Sequence, residues 1–582
     1  MKIAIERIIE EPVMSNEKEI LKRGLKNRDE NLRLIRWMLR VVRPYYRYVI
    51  CVFCISIVSM LISYGSTILG KYVVDDATTG VIDVRNMALM CAATVVSIAI
   101  GVGSSIIGSY IGEKFSFTIR QQFYNDIQRS VWLNVSKFHS GDLVTRLTSD
   151  IGALADGLLG MLPRTILTFV QLGVAFFILF HYDRPIALFA LVIGPVGAIC
   201  MLLFRKRYKK YQTALRECES DYRSFMQESL SSLTVVKTFR QEDANEAKME
   251  GLKRRRLNLV MKNTTLGSVM GAVMRLVYSA GYVIAFCWGA YRISTGDISY
   301  GTLTIFITLV SQVQGSISGL AGVIPQLYNM LISAKRIVEV AGLPKETYGG
   351  KTDVPKHVGV RMENVSFAYE KEPVLRELSF AVAPGEKIAV VGPSGVGKTT
   401  LIRLLLALTK PQDGAIRYET ENGEESASPD ARRFVSYVPQ GNTLISGTIA
   451  DNLRVGLREA SPEEMMNALR LACADRFVKK LPDGLEAVLS EKSGGISEGQ
   501  AQRIAIARAL IGEKPVLILD EATSALDEAT EAAILKNVAG ELKDKTCFII
   551  THRRSMLRYC DKVVSLQEDG AATVRAVEAP EN

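Results

Sequence analysis

Histidine is scarce in this chain, with four in 582 residues. His139 has no other metal ligand near it in sequence, and His181 and His357 carry no functional pattern, so none of the three is read as a site residue. The nine cysteines are odd in number and scattered, and several lie inside apolar runs. Cys51 and Cys54 form a C-x-x-C within "VICVFCISIVSM", but no partner pair accompanies them; they read as small apolar residues on one helix face. No disulfide framework emerges. The first residues, "MKIAIERIIEEPVMSNEKEILKRG", lack the apolar core of a signal peptide, so this end is expected to stay in the cytoplasm. The net charge of +10 does not point to nucleic acid. Lys and Arg concentrate instead in loops between apolar runs, as in "FRKRYKKYQ" and "LKRRRLNLVMK".

Those runs fill roughly the first 330 residues, and the remainder reads as mixed soluble protein, a composition shift that marks a domain boundary. Six of them are long enough to cross a bilayer core of roughly 30 Å with about 20 helical residues each. They are Tyr48–Gly70, Asn86–Tyr110, Leu158–His181, Pro185–Phe204, Gly267–Tyr291 and Gly301–Pro325. Connections after the first, third and fifth runs are short, while Ile111–Gly157 and Arg205–Leu266 are long, polar and helical in pattern. The second long connection is dense in Lys and Arg, which places both long connections and both termini in the cytoplasm. The length of these nearly uncharged runs argues against a soluble six-helix bundle.

Ahead of the first run lies "NLRLIRWMLRVVRPYY". Arg33, Arg36, Arg40 and Arg43 share one helical face, and Leu, Ile, Met and Trp37 cover much of the rest. This pattern predicts an amphipathic elbow helix on the anionic inner leaflet, ending at Pro44.

From about Val360 the pattern changes to short β-rich runs alternating with helical ones, which favours an α/β domain with a largely parallel sheet. The strand "KIAVV" leads into "GPSGVGKTT" and then into the helical "LIRLLLALT", a P-loop in its proper strand–loop–helix context. Its glycines let backbone N–H groups close around phosphates; Lys398 neutralises phosphate charge and the Thr399 hydroxyl suits Mg²⁺. "VLILDEATSALD" supplies a buried strand ending in two carboxylates. Asp520 is expected to hold Mg²⁺ through water and Glu521 to polarise the attacking water.

A second anion site is also written in this half. In "SGGISEGQAQRIAIARAL", Ser497 and Gln500 have capping-box spacing ahead of a helix, and a capped helix start suits phosphate. One nucleotide cannot easily occupy both this site and the P-loop of the same domain.

With these motifs the chain resembles an ABC transporter of the exporter type: an α-helical membrane domain of six transmembrane helices followed by an α/β P-loop ATPase domain. The resemblance covers all but roughly the first 25 residues, as the motifs and spans above are placed along the chain. It implies 1–29 as a cytoplasmic extension, 30–335 as transmembrane domain, 336–359 as linker and 360–582 as nucleotide-binding domain. It implies ATP contacts from Tyr369, which stacks on adenine, and from Gly392, Ser394, Gly395, Gly397, Lys398, Thr399 and Thr400. Mg²⁺ contacts are implied for Thr399, Gln440 and Asp520, and catalytic roles for Glu521, His552 and Gln440. "ISEGQ" matches the signature motif, and Ser497, Gly499 and Gln500 are implied to contact ATP held by a partner's P-loop. That answers the two-site problem: a half-transporter pairs head to tail, as a homodimer or heterodimer with a second such chain. Three departures stand out: Ile496 and Glu498 in the signature, and Ser493 in place of a glycine soon after Glu491. "SALD", Ser524–Asp527, matches the D-loop, and "SKFHSGD" and "ESLSSLTVVK" match the segments that couple the two halves.

The function this implies is ATP-driven export of an amphipathic, lipid, peptide or drug-like substrate, itself unidentified, from a bacterial plasma (inner) membrane, with membrane lipid as the surroundings and no nucleic acid as partner. A nucleotide-controlled regulator or channel, or an importer on the same fold, is the alternative. Arg164 and Arg275 lie inside the third and fifth runs, and none of the six runs contains Asp or Glu. Either both snorkel to lipid phosphates, or they line an inward cavity for an anionic or amphipathic substrate.

Overall fold

The computed structural model describes residues 28–80, 83–350, 353–369, 372–441, 444–489, 495–541 and 543–577. Most of the N-terminal extension, Glu491 and Ser493 therefore lie outside the described residues. Chain contacts divide the protein into two units, residues 1–125 with 140–341, and residues 126–139 with 342–582.

The first unit is helical. The elbow is α1 (Arg28–Val42), followed by a single 3₁₀ turn, Arg43–Tyr45, where Pro44 cannot donate to the preceding helix. The long helices are α2 (Tyr46–Thr78), α3 (Val84–Arg129), α4 (Leu162–Tyr182), α5 (Arg184–Ser231) and α6 (Glu242–Ser294), followed by α7 (Tyr300–Ala321) and α8 (Val323–Ala341). Among the described residues five helical stretches are long and apolar enough to cross a membrane, namely Leu32–Thr78, Val84–Arg129, Ser140–Tyr182, Glu242–Ser294 and Tyr300–Ala341. The fourth expected run falls within α5, where residues 193–195 and 198 have no described side chains. Large apolar side chains such as Val95, Ile98, Phe177 and Leu276 are exposed on these helices, as lipid-facing residues must be.

Two local features depart from the expected runs. The sixth does not continue smoothly through Pro325. The helix breaks at Gly322, because a proline three residues into α8 cannot donate to the previous turn and clashes with its carbonyl. One π-helical turn, Arg146–Asp150, precedes the third run and a second, Asp156–Met161, overlaps its start. Gly157 in the second lies so close to α8 that an added Cβ would come 2.9 Å from Met330 Cβ.

Charged groups pin the helices. At one end Asp183 caps α5 by accepting from the Ile186 N–H at 3.1 Å, accepts from Trp288 Nε1 at 3.3 Å and pairs with Arg292 at 3.5 Å. Asp75, near the end of α2, accepts from Ser299 Oγ and from the Gly301 N–H, both at 2.8 Å. At the π turns, Arg146 pairs with Asp142 and Glu339, each at 2.8 Å, and donates to the Arg336 carbonyl at 2.6 Å. Arg336 pairs in turn with Asp142 and with Asp150, and Asp150 also accepts from Ser333 at 2.9 Å.

The second unit carries the sheets. A four-stranded antiparallel sheet runs β2-β1-β4-β5, from β1 (Val358–Ala368), β2 (Pro373–Val382), β4 (Asp413–Thr420) and β5 (Gly423–Ser426). The central sheet runs β12-β11-β3-β10-β9-β6. Its strands are β3 (Lys387–Val391), β6 (Val435–Val438), β9 (Val516–Asp520), β10 (Thr546–Ile550), β11 (Lys562–Leu566) and β12 (Ala572–Ala576). All pairs are parallel except β11 with β12. A small ribbon joins β7 (Gly447–Thr448) to β8 (Val488–Leu489). β9 and β10 are buried at every residue, which explains why both read as unbroken apolar runs rather than alternating ones. Helices α9 (Lys398–Leu405) and α10 (Glu498–Leu510) pack on this sheet through Leu401, Leu404, Ile504 and Ala505.

The buried ion cluster sets the first test. Arg146→Ala removes a nearly buried guanidinium, leaves two carboxylates, Asp142 and Glu339, short of a partner and is expected to cost about 3–5 kcal/mol. Glu339→Gln, at a side chain that is 56% exposed, should cost far less. Thermal unfolding of the detergent-solubilised protein checks this: equal shifts for the two variants would deny the cluster a structural role.

Candidate nucleotide site

The P-loop leaves the sheet at the end of β3. Gly392, Gly395 and Gly397 have φ of 155°, 83° and 109°, in the region open mainly to glycine. At Gly392 a side chain would also meet the Leu566 carbonyl at 2.7 Å, and at Gly397 it would meet Val374 and Leu375 at 3.0 Å. The loop therefore folds tightly because these positions lack Cβ atoms. Ser394 and Thr399 are exposed and Thr400 is buried. Lys398, only 8% exposed, donates to the carbonyls of Gly392 at 2.7 Å and Pro393 at 3.0 Å, and burial pushes its ammonium below the usual lysine range.

β10 lies between β3 and β9 in the sheet, so the loops after all three strands open at the same carboxyl edge. Asp520 ends β9, is buried, and accepts from the Tyr437 hydroxyl at 3.2 Å. Burial raises its carboxyl above the usual aspartate range, and the nearby Glu521 charge adds to that. Glu521 stands just beyond the strand with φ 48°, an uncommon conformation for a residue with a Cβ. Its two oxygens bind different partners: Gln440 Nε2 at 2.6 Å and His552 Nε2 at 2.9 Å. His552 Nε2 is also 3.1 Å from Lys398 Nζ. Five of the expected residues, Gln440, Lys398, Asp520, Glu521 and His552, thus sit in one cluster of hydrogen bonds and close charges.

Tyr369 follows β1, half exposed, with its ring edge-on to Phe367 at 5.0 Å. Its hydroxyl is 3.3 Å from Thr400 Oγ1 and accepts from Arg403 at 2.6 Å. Arg403 also lies over the Trp132 ring, 4.7 Å from its centroid. The segment "SKFHSGD" is split between the units: Ser136–His139 belong with this one, and Ser140–Asp142 with the helical one.

At the signature, α10 starts with a complete capping box. Ser497 Oγ accepts from the Gln500 N–H at 3.3 Å and Gln500 Oε1 accepts from the Ser497 N–H at 3.0 Å. The Gly499 N–H has no partner among the described residues. A Cβ at Gly499 would come 2.8 Å from the Ala525 carbonyl, so this glycine lets α10 approach the segment after β9. Gln502 holds the same segment, donating to Ser524 Oγ at 3.2 Å and accepting from the Ala525 N–H at 3.1 Å. Glu498 is exposed in the first turn, where a carboxylate suits the helix dipole. Among the described residues no hydrogen bond or ion pair joins Ile496–Gln500 to Gly392–Thr400.

Sequence reasoning missed Tyr437, Arg403 and Gln502. Tyr437 and Arg403 act across the fold, and no short motif marks either. Gln502, two residues past the signature, is a buried polar side chain within an apolar helix, and that signal was present. The arrangement can do three things chemically. It offers a glycine-lined cradle with a cation for phosphates, hard oxygen donors of the type Mg²⁺ prefers at Thr399, Gln440 and Asp520, and a carboxylate held between an amide and an imidazole.

Residues 46–317 match the family described as ABC transporter transmembrane region and residues 375–524 the family described as ABC transporter. A fatty acid ABC transporter ATP-binding/permease protein of Mycobacterium tuberculosis is 31% identical over 429 residues, 73% of this chain and 68% of the relative. An ATP-dependent lipid A-core flippase of Desulfotalea psychrophila is 28% identical over 466 residues, 79% of this chain and 81% of that one. In fold, the chain is similar to a bacterial Atm1-family ABC exporter solved with ATP bound, with TM-score 0.72, 23% identity, and coverage of 92% of this chain and 95% of the other. A membrane region joined in one chain to a P-loop ATPase, matched along both parts, makes this protein a member of the ABC transporters: an exporter-type half-transporter and a transport ATPase.

Proposed function

We propose that this chain exports an amphipathic substrate across a bacterial inner membrane, working as a homodimer or with a second half-transporter chain. The observation that carries the proposal is the start of α10: a capped helix end whose Gly499 N–H has no partner, and no link to the P-loop of its own domain, among the described residues. Such an end attracts phosphate through its N–H groups and dipole. In the proposed pair it faces the ATP held on the partner's P-loop, and the partner's signature faces this one. Exposed Leu233, Val235 and Phe239, in and after the second coupling segment, offer an apolar contact for the same partner.

On the P-loop side, Tyr369 stacks on adenine, and the backbone from Gly392 through Gly395 and Gly397, with Ser394 and Thr400, encloses the phosphates. Lys398 gives up its contacts with the loop carbonyls for phosphate oxygens. Thr399, Gln440 and Asp520 would hold Mg²⁺, which supplies neutralisation of the developing phosphate charge. Glu521 accepts a proton from the attacking water, and His552, beside it, holds the γ-phosphate. ATP binding then closes the two ATPase domains and hydrolysis releases them, which moves the membrane helices between two states. The helices must bind substrate differently in the two states, so substrate should change the ATPase rate. ATP-dependent uptake into inverted vesicles distinguishes this from a nucleotide-gated channel, where movement needs no hydrolysis.

Three measurements test the site. Glu521→Gln should retain ATP binding yet lower turnover by about 10²–10⁴-fold, and near-normal ATPase activity would remove Glu521 from catalysis. If the chain pairs with itself, mixing inactive Ser497→Ala and Lys398→Ala chains should restore activity, because one composite site in the mixed dimer keeps both intact halves. No gain on mixing would contradict that arrangement. Tyr437→Phe removes the donor to Asp520 and should raise the Mg²⁺ concentration for half-maximal ATPase by about tenfold or more. An unchanged Mg²⁺ profile would show that Asp520 needs no such support.

A further inference from the structure

A cavity of about 650 Å³ opens within the helical unit between α2, α4, α7 and α8. Its size is that of a small-molecule site, and its walls mix apolar groups such as Met60 and Val323 with polar ones. Arg164 is the only charged residue in the lining, and among the described residues its guanidinium has no ion-pair partner. Arg275, the other intramembrane arginine, does not line this cavity. The two arginines therefore part company: Arg164 lines this open cavity and Arg275 does not.

The neutral polar groups add a second requirement. Thr165 and Thr168 spend their hydroxyl hydrogens on the carbonyls of Met161 and Arg164, at 2.8 and 2.9 Å. Tyr64 donates to the Gln171 carbonyl at 3.0 Å. Gln312, across the cavity on α7, has a buried amide oxygen with no hydrogen-bond partner. A ligand that satisfies this wall brings an anion for Arg164 and a neutral donor for Gln312.

We infer that this cavity binds an amphiphile with an acidic head group, a carboxylate or phosphate, that also carries a hydroxyl or amide donor beside the acid. Arg164 takes the acid, Gln312 accepts from the donor, and the alkyl part lies along the apolar wall. The cavity disfavours cationic amphiphiles, whose charge would meet the Arg164 guanidinium rather than an acid. This assignment rests on the export reading, because it names the substrate class for that function.

The test measures direct binding, without ATP, to the full-length protein in nanodiscs of zwitterionic lipid. The probes share one oleyl chain: oleoyl glycerol phosphate, oleate, mono-oleoyl glycerol and an oleyl trimethylammonium salt, with inorganic phosphate as competitor. The glycerol phosphate should bind at least about tenfold tighter than the neutral and cationic probes, as a charge-assisted contact predicts. Arg164→Gln should erase that preference, Arg164→Lys should keep most of it, and Arg275→Gln should leave it alone. Gln312→Leu should weaken the glycerol phosphate more than oleate, which has no donor. Equal binding of anionic and cationic probes, or a preference that survives Arg164→Gln, overturns the assignment. Displacement by millimolar inorganic phosphate would make this an anion site rather than an amphiphile site and also overturns it. If the binding pattern holds but the vesicles show no ATP-driven uptake, it is the export reading that fails.

Discussion

A charged side chain that loses water must be met by another polar group, and the fixed points of this protein are the places where that demand is satisfied. Asp183 is met by a helix end, an indole N–H and an arginine. Arg146 and Arg336 are met by three carboxylates, with Asp150 steadied by Ser333. Lys398 is met by carbonyls of its own loop. Each replaces a solvation energy of several kcal/mol by contacts of fixed direction, so each holds backbone elements in register. Arg164 alone of the groups discussed lines a cavity and has no acid partner among the described residues. On insertion scales an arginine at the centre of a span costs about 2.5–3.5 kcal/mol, less near the interface, and a group carried at such cost without a structural partner is the natural place to look for a ligand.

The two units differ in how much of this their sequence displays. Five of the six runs and the strands β3 and β9 were legible because hydrocarbon and buried parallel strands both demand apolar stretches. The capping box was legible because its spacing is local. The break at Gly322 was not read, although Pro325 was in view, because an apolar window continues across a helix break unchanged. The π turns were hidden for a related reason: an extra residue in a turn leaves composition untouched and is set by packing, here of Gly157 on Met330. The charge cluster at Arg146 joins residues almost two hundred positions apart, beyond the reach of any periodicity.

The nucleotide site divides the same way. Strand ends position Lys398, Asp520, Glu521 and His552, so motif and topology together bring them into one cluster. The tuning of that cluster comes from residues outside the motifs. Tyr437 reaches Asp520 from the edge strand β6, and Arg403 ties Tyr369 to the segment that contains Trp132. A motif records the atoms that meet the ligand; the groups that orient those atoms are chosen by the fold and vary in sequence position.

Glu521 and the start of α10 belong to one mechanical piece. Glu521 sits in a left-handed conformation, its carbonyl accepts from the Ser524 N–H at 3.1 Å, and Ser524 and Ala525 are held by Gln502 of α10. Gly499 completes the contact, since any side chain there would strike the Ala525 carbonyl. Ser524, Ala525, Gln502 and Gly499 thus link Glu521 by direct contacts to the helix end that carries Ser497. In the proposed pair these two ends would face different nucleotides, and the short segment between them offers a contact route for coupling one site to the other. Such coupling requires a piece with few internal degrees of freedom, and the glycine contact together with the doubly bonded Gln502 supplies it.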